Sequence, residues 1–212
     1  MKKQLALTLL AILLVTASFG QSFEGIIIYD MVWRSKMPNV TDEQCTEMMG
    51  KVHAYYMKGG DYKSTGNGTF FQSQIYVNKD NKLYYKWSNS PTLFYEDCAG
   101  NTDEVITSKL SKGVIEILGY TCDELVLTCK TGVQKYYFSS DPNLKIDAKL
   151  FVNFNYGNWY NVVSKTNSVP LKQVIDNPQF TVESTATRIT LQKLDSSLFQ
   201  LPADAQIEKN PD

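Results

Sequence analysis

The stretch from Gly113 to Ser140 constrains the fold more strongly than any other part of the chain. It contains two runs rich in β-branched and aromatic residues, separated by Lys-Thr-Gly at residues 130–132, a sequence typical of a turn. Two such runs around a short turn predict a β-hairpin. The chain is therefore expected to form antiparallel sheet.

The length of this turn decides which residues of the hairpin face each other. A two-residue turn at Thr131-Gly132 sets Leu127 opposite Tyr136. It also sets Leu125 opposite Phe138, which gives one wholly apolar face. A three-residue turn sets Leu127 opposite Lys135 instead. We favour the first pairing, because a slip by one residue turns the hydrophobic set of one strand over to the other face.

Shorter runs with period-two alternation occupy most of the remaining chain. The other predicted strands are residues 23–34, 51–58, 70–77, 82–87, 93–95, 170–175 and 180–191, with a further strand starting near residue 62. The alternation predicts a mainly β protein. No internal repeat divides the chain, so residues 21–212 are expected to form a single domain.

Few segments have a helical pattern. They are a short helix at residues 42–49, a helix or loop at 159–165, and one helical turn at 195–199 before a polar tail from Ala203. Thr41 or Asp42 can cap the first of these helices. The apolar residues of segment 145–156 fit both the strand and the helix period, so its structure stays open.

The first twenty residues have the organisation of a signal peptide. Two lysines follow Met1, and residues 5–15 form an apolar run of the expected length. Ser18 and Gly20 supply small residues that favour cleavage after Gly20, so the mature chain would begin at Gln21. A membrane anchor is the alternative, but a spanning helix needs ~20 apolar residues. We predict a periplasmic or secreted protein, without integral membrane insertion, whose signal peptide is residues 1–20.

The charge of the mature chain does not favour nucleic acid as a partner. Removing Lys2 and Lys3 from the 21 basic residues leaves 19 against 22 acidic residues, a net charge of −3. Nucleic-acid-binding proteins carry dense stripes of lysine and arginine. The same balance provides no polybasic segment for an anionic membrane surface.

Large apolar side chains share one face of the first predicted strand, and neighbouring strands extend that face. The candidate lining residues of a hydrophobic ligand site are Phe23, Ile27, Tyr29, Met31, Trp33, Tyr55, Tyr85 and Trp87. They follow the period-two alternation of strands, which places them on one side of a sheet. The alternative is that these residues are ordinary core, packed against a covering segment around Trp159.

The residues needed for common catalytic or metal sites are scarce. His53 is the one histidine of the chain, and no Gly-x-Ser-x-Gly sequence supplies a nucleophile. We expect His53 to be a structural residue of a strand, at the sheet edge or facing solvent. Asp123 and Glu124 are adjacent, so a strand would point them to opposite faces. We therefore predict no enzymatic activity, no metal site and no cofactor.

Four cysteines are candidates for disulfide bonds in an oxidising compartment: Cys45, Cys98, Cys122 and Cys129. Cys122 and Cys129 lie in one extended segment, where seven residues at ~3.3 Å each separate them by ~23 Å. A disulfide requires Cα atoms within roughly 7 Å. Each is therefore expected to pair with Cys45 or Cys98, and four reduced, buried thiols are the alternative.

Residues 117–122, ILGYTC, resemble the I-x-G-Y-x-C signature of a family of exported Gram-negative proteins of unknown function. Three other segments fit that family in the same order. They are the opening strand at 23–29, the VPLK sequence at 169–172 and the LDSSLFQLP ending at 194–202. The family is similar to the lipoprotein-carrier, or LolA-like, fold.

The resemblance implies a single strongly curved antiparallel sheet, like an unclosed barrel, with one or two short helices over its concave face. Proteins of that fold bind acyl chains or other hydrophobic groups in an apolar concavity. The four cysteines and the lack of long helices depart from the carrier pattern, so we keep a lipid or hydrophobic ligand and not lipoprotein transport. The alternative is a periplasmic or secreted interaction module whose filled core leaves no room for a ligand.

Overall fold

The computed structural model describes residues 22–101 and 103–211. The predicted signal peptide and its cleavage site lie outside these residues. Twelve strands are described: β1 Gly25–Ser35, β2 Val52–Lys58, β3 Asp61–Gly66, β4 Phe71–Val77, β5 Lys82–Trp87, β6 Leu93–Asp97, β7 Val105–Ile117, β8 Tyr120–Cys129, β9 Val133–Phe138, β10 Pro170–Asp176, β11 Phe180–Leu191 and β12 Ile207–Lys209.

All twelve strands belong to one sheet, in the order β12-β6-β5-β4-β3-β2-β1-β11-β10-β9-β8-β7. Neighbouring strands are antiparallel except for β12, which runs parallel to β6. The sheet is curled and its two ends do not meet, so it is an unclosed barrel. The predicted mainly β fold with a single curved sheet is confirmed.

Strand β1 lies at the centre of the sheet, between β2 and β11. Its register with β11 shifts between Ile28 and Tyr29, and the extra residue of this bulge lies on β11. Gly25 is required at the start of β1, because a Cβ there would collide with the backbone oxygen of Thr190. The alternating burial of β1 confirms that the predicted apolar face points inward.

The predicted hairpin forms, but not in either predicted register. The turn is Lys130-Thr131, which places Leu125 opposite Tyr136 and Leu127 opposite Gln134. The shift is two residues from the favoured pairing, so the same side chains still share a face. Because side chains alternate between faces with a period of two, a shift of two residues keeps each side chain on its face. The apolar face was therefore predicted correctly, but the residues that lie opposite each other were not.

The position and length of the hairpin also differ from the prediction. A further turn at Leu118-Gly119 divides its first run into β7 and β8, and both turn residues have positive φ, 52° and 80°. Such angles are typical of the two-residue turns that join hairpin strands. The strands β7, β8 and β9 form one end of the sheet, so the hairpin is peripheral and β1 is central.

Two α-helices are described, α1 Asp42–Met49 and α2 Trp159–Thr166. Thr41 caps α1 through a capping box with Gln44, which confirms the predicted helix and one of its two predicted caps. Segment 145–156 is neither the strand nor the helix that its pattern allowed. It forms short 3₁₀ turns, among them Ala148–Phe151 and Tyr156–Asn158.

Residues 142–166, the covering segment, close part of the concave face of the sheet. Phe151 and Phe154 of this segment are buried in the core beside strand residues. Backbone bonds hold the segment: Val169 donates to Leu144 at 2.9 Å, and Asn155 donates to Cys98 at 2.7 Å. The core therefore lies between the concave face and this segment.

The C-terminal part of the chain packs on the opposite, convex face. The predicted helical turn forms at Ser196–Phe199 and contacts β3 and β4. Phe199 is buried. The predicted polar tail is not wholly irregular, because Ile207–Lys209 adds the short strand β12 to the sheet edge.

The four cysteines are free and buried in this structure, which corrects the predicted bridges to Cys45 or Cys98. Cys122 and Cys129 both lie on β8, in the extended arrangement that the sequence predicted. Burial raises the pKa of the Cys129 thiol to about 11 and that of Cys98 to about 12. Both thiols are therefore protonated near neutral pH, a state that suppresses disulfide chemistry.

Candidate functional site

Aromatic rings fill one part of the concave face. The ring of Phe154 in the covering segment stacks on Tyr76 of β4, with centroids 4.2 Å apart. Tyr62 of β3 stacks on Tyr76 at 5.6 Å, and Phe151 of the covering segment lies 6.2 Å from Tyr76. Tyr76 is 1% exposed. We call this cluster of Tyr62, Tyr76, Phe151 and Phe154 the aromatic stack.

Next to the aromatic stack the same face forms a half-open cavity of about 280 Å³. The cavity lies between strands from both halves of the sheet and the end of the covering segment. It is lined by Tyr29, Tyr55, Met57, Tyr62, Gln74, Leu83, Tyr85, Gln134, Tyr136, Phe154, Tyr156, Gly157, Trp159, Pro170, Gln173 and Ile175. Most of this surface is aromatic or aliphatic, as in sites that bind apolar ligands.

A second cavity of about 200 Å³ lies beside the first. It is lined by Met31, Trp33, Met49, His53, Tyr55, Phe71, Gln74, Tyr85, Trp87, Gln173, Ile175, Val182 and Ser184. Five residues line both cavities: Tyr55, Gln74, Tyr85, Gln173 and Ile175. The two cavities are thus neighbouring compartments of one concave surface.

Several polar atoms of the first cavity already have partners. The hydroxyl of Tyr29 donates a hydrogen bond to the backbone oxygen of Pro170 at 2.6 Å. The hydroxyl of Tyr136 donates to the side-chain oxygen of Gln134 at 3.1 Å. These bonds fix the two tyrosine rings as walls of the cavity.

The environment of the cavities disfavours charge. No Asp, Glu, Lys or Arg is among the residues that line either cavity. Burial raises the pKa of Tyr29, Tyr55 and Tyr85, so their hydroxyls stay protonated well above neutral pH. A mostly apolar surface without ionised groups suits a neutral, apolar ligand.

His53 borders the second cavity and has a structural setting. Its ring stacks on Phe71 with centroids 5.0 Å apart, and its Nε2 lies 2.8 Å from the backbone oxygen of Met49. Burial lowers the pKa of His53, and the contact with Met49 partly offsets this effect. The residue is on a strand as predicted. It is buried on the concave side, however, and faces neither solvent nor a sheet edge.

The structure distributes the eight predicted lining residues among three places. Tyr29 lines the first cavity only, while Tyr55 and Tyr85 line both cavities. The residues that line only the second cavity are Met31, Trp33 and Trp87. Phe23 and Ile27 line neither cavity and belong to the buried core. The predicted face therefore splits into a filled part and an open part.

Sequence reasoning missed three glutamines of this surface, Gln74, Gln134 and Gln173. Each stands two residues from a large apolar residue on the same strand face, namely Tyr76, Tyr136 and Ile175. The same alternation that selected the tyrosines could have selected them. Polar residues on an inward face carry no hydrophobic signal, so a pattern of apolar residues alone passes over them.

Residues 22–101 and 103–211 contain no group of three or more His, Cys, Asp or Glu residues that is arranged to hold a metal ion. In the same ranges, no helix is both long enough and apolar enough to cross a membrane.

Comparison with known protein sequences assigns no family to the chain. No protein-family model matches it, and no curated protein matches its sequence. Among solved structures, an uncharacterized conserved protein from Thermus thermophilus is similar, with a TM-score of 0.49 and 10% sequence identity. That match covers 88% of this chain and 91% of the other.

Two further structures are similar at lower scores. PNGF-II matches 88% of this chain with a TM-score of 0.46 and 12% identity, but this chain covers only 32% of its length. A LolA superfamily protein from Nitrosomonas europaea matches with a TM-score of 0.37 and 7% identity, over 85% of this chain and 91% of the other. Similarities at this level do not assign a family or an activity.

Proposed function

We propose that the protein is an exported, non-catalytic binding protein that holds a lipid or another hydrophobic ligand in the two cavities of its concave face. The observation that supports this most directly is unfilled space between inward-facing aromatic side chains. Ligand sites of proteins are concave and lined mainly by apolar and aromatic side chains with a few polar groups. The adjoining cavities of about 280 and 200 Å³ have this character.

The expected affinity follows from the apolar area that a ligand would bury. Each buried methylene group contributes ~0.8 kcal/mol, so a ten-carbon chain gains roughly 8 kcal/mol before the cost of association. Without that cost, about 8 kcal/mol corresponds to a Kd of about 1 μM. Binding of a single chain is therefore expected in the micromolar range or weaker.

The absence of catalysis is part of the proposal. The polar groups of the cavity walls are phenols, amides, indoles, the hydroxyl of Ser184 and the imidazole of His53, with no carboxylate or amine. The His53 ring is stacked on Phe71, and its Nε2 contacts the backbone oxygen of Met49, which is not a nucleophile that a base could activate.

The second candidate is an interaction module, and the free edge of the sheet favours it. Strand β7 pairs only with β8, so one row of its backbone groups has no strand partner among the described residues. Several of its side chains are exposed apolar residues, among them Ile106 at 63% and Leu110 at 48%. Long exposed edge strands can add a strand from another chain. The two candidates differ in whether the cavities take up a ligand.

Uptake of the neutral fluorescent probe phenylnaphthylamine tests the proposed function. We expect the folded wild type to bind it with increased fluorescence. Ile175→Trp places a large ring where both cavities meet and should abolish binding. Val174→Trp is the matched control, because strand alternation places residue 174 on the opposite face, beside the Lys172–Glu183 ion pair. A wild type that takes up no probe would refute the proposal.

Export is tested separately. We expect protein recovered from the envelope or medium of its own cells to begin at Gln21, and N-terminal sequencing measures this. Recovery with Met1 intact, or in the integral membrane fraction, would contradict the proposed location.

A further inference from the structure

A residue that lines the first cavity has an unused hydrogen-bond donor. The indole nitrogen of Trp159 is buried and has no hydrogen-bond partner among the described residues. Trp159 lines the cavity and contacts Phe151 edge to face, with centroids 6.1 Å apart. A buried N–H without a partner is rare, because leaving it unpaired costs free energy. The acceptor atom of a bound ligand would satisfy it once the indole ring turns its N–H toward the cavity.

Two amide side chains on the same surface are also available. Gln74 of β4 and Gln173 of β10 line both cavities, and within residues 22–101 and 103–211 neither side chain makes a hydrogen bond. Each amide offers two donor hydrogens and one acceptor oxygen. Gln134, by contrast, already accepts the hydroxyl of Tyr136. Free polar groups are thus concentrated where the cavities meet and at Trp159.

The surface offers hydrogen bonds but no counter-charge. An ionised head group moved into these cavities would lose its hydration and find no Asp, Glu, Lys or Arg in return. A purely aliphatic ligand would leave the Trp159 donor unpaired. The cavity chemistry therefore disfavours fatty-acid anions and cationic amphiphiles, and it gives plain hydrocarbons no advantage.

We infer that the ligand is an uncharged amphiphile with a carbonyl-bearing head group, such as an amide or ester. The carbonyl accepts the Trp159 indole hydrogen in the first cavity, and the apolar chain extends past Gln74 and Gln173 into the second cavity. This inference rests on the proposed function, since it specifies the ligand of the same site. The two glutamines bind the remaining polar atoms of the head group.

The test compares three ligands that share one chain and differ in their head group: decanamide, decanoate and decyltrimethylammonium. Each competes with phenylnaphthylamine for the wild-type protein at about pH 8, where decanoate is ionised. We expect decanamide to displace the probe at a concentration at least ~10-fold below that of either ion, because neither ion finds a counter-charge.

Variants then locate the hydrogen bonds. Trp159→Phe keeps an aromatic ring and removes the N–H, and it should weaken decanamide binding about three- to tenfold, the value of one hydrogen bond. Gln173→Met keeps the side-chain length and should act in the same direction. Phenylnaphthylamine has no carbonyl, so its affinity is measured on each variant as the reference, and the ratio of decanamide affinity to probe affinity is the readout.

The outcomes separate this inference from the proposed function. If the wild type binds the probe but decanoate or the cation displaces it as well as decanamide does, the inference is wrong and hydrophobic binding stands. The inference is also wrong if both variants keep the wild-type ratio of decanamide affinity to probe affinity. If the wild type binds no probe, the proposed function fails and the inference fails with it.

Discussion

Two neighbouring regions of the concave face are built from the same kinds of residues but differ in packing. In the aromatic stack, Phe151 and Phe154 of the covering segment pack against the rings of Tyr62 and Tyr76. A few residues away, Tyr55 and other aromatic side chains face cavities. The strand pattern is alike in both regions, so the covering segment decides which part is core and which is open.

The largest effect is expected in the filled region. Phe151→Ala removes a ring that is 1% exposed, lines neither cavity and lies 6.2 Å from the ring of Tyr76. Such a truncation in a packed core costs about 3–5 kcal/mol in the free energy of unfolding. Urea denaturation measures the loss. Tyr85→Ala, which truncates an aromatic residue lining the cavities, serves as the comparison and should cost less, because open space already adjoins its ring. Equal losses would erase the distinction between the regions.

An intermediate effect is expected from adding bulk to the core. Ile27 is fully buried and lines neither cavity. Ile27→Trp should therefore lower the free energy of unfolding by about 1–3 kcal/mol through overpacking, while the folded fraction still takes up phenylnaphthylamine. Ile175→Trp should show the reverse, with little change in stability and no uptake. If Ile27→Trp leaves stability unchanged and blocks uptake, the open region extends further along β1 than the cavities indicate.

The smallest effect concerns pH and the second cavity. Burial lowers the pKa of His53 in the folded protein, so the unfolded chain binds a proton more readily. Stability should rise with pH up to the unfolded value of ~6.5 and level off above it. This contribution to stability should be lost as the pH falls from the unfolded value through the lowered pKa of His53 in the folded protein.

The control for this prediction is His53→Phe, which retains an aromatic ring next to Phe71 and has no titrating group. Because His53 is the only histidine of the chain, the slope of stability between about pH 5.5 and 7.5 should shrink in the variant. Urea midpoints across that range provide the measurement. An unchanged slope would mean that another group titrates there.

Much of the fold could be predicted because strand alternation is a local signal. The bounds of β5 and β11 match the predicted 82–87 and 180–191, and the N-cap Thr41 was one of two candidates. The turn at Leu118 was missed because leucine rarely adopts positive φ, so its side chain gives no turn signal. The hairpin register was missed because patterns repeating every two residues cannot distinguish shifts of two.

The candidate site could be predicted only in part, for a different reason. Alternation places Tyr29 and Ile27 on the same face, and both belong to the core cluster, yet only Tyr29 also lines a cavity. Segment 145–156 covers part of this face, and its 3₁₀ turns have neither the helical nor the strand period. Long-range packing of irregular backbone is not encoded in periodicity. Whether a side chain of this face lines a cavity or packs in the core therefore could not be predicted from the sequence pattern.

The pairing of β1 with β11 also sets the order in which the molecule can assemble. Ile27 pairs with Ile189, so the centre of the sheet joins the two ends of the chain. Contacts across such a sequence distance require closure of a long loop, and folding dominated by them typically takes milliseconds to seconds. A nascent chain that ends before Phe180 can form β1 and β2 but leaves the other edge of β1 open. Completion of the sheet therefore waits for nearly the last strand to emerge.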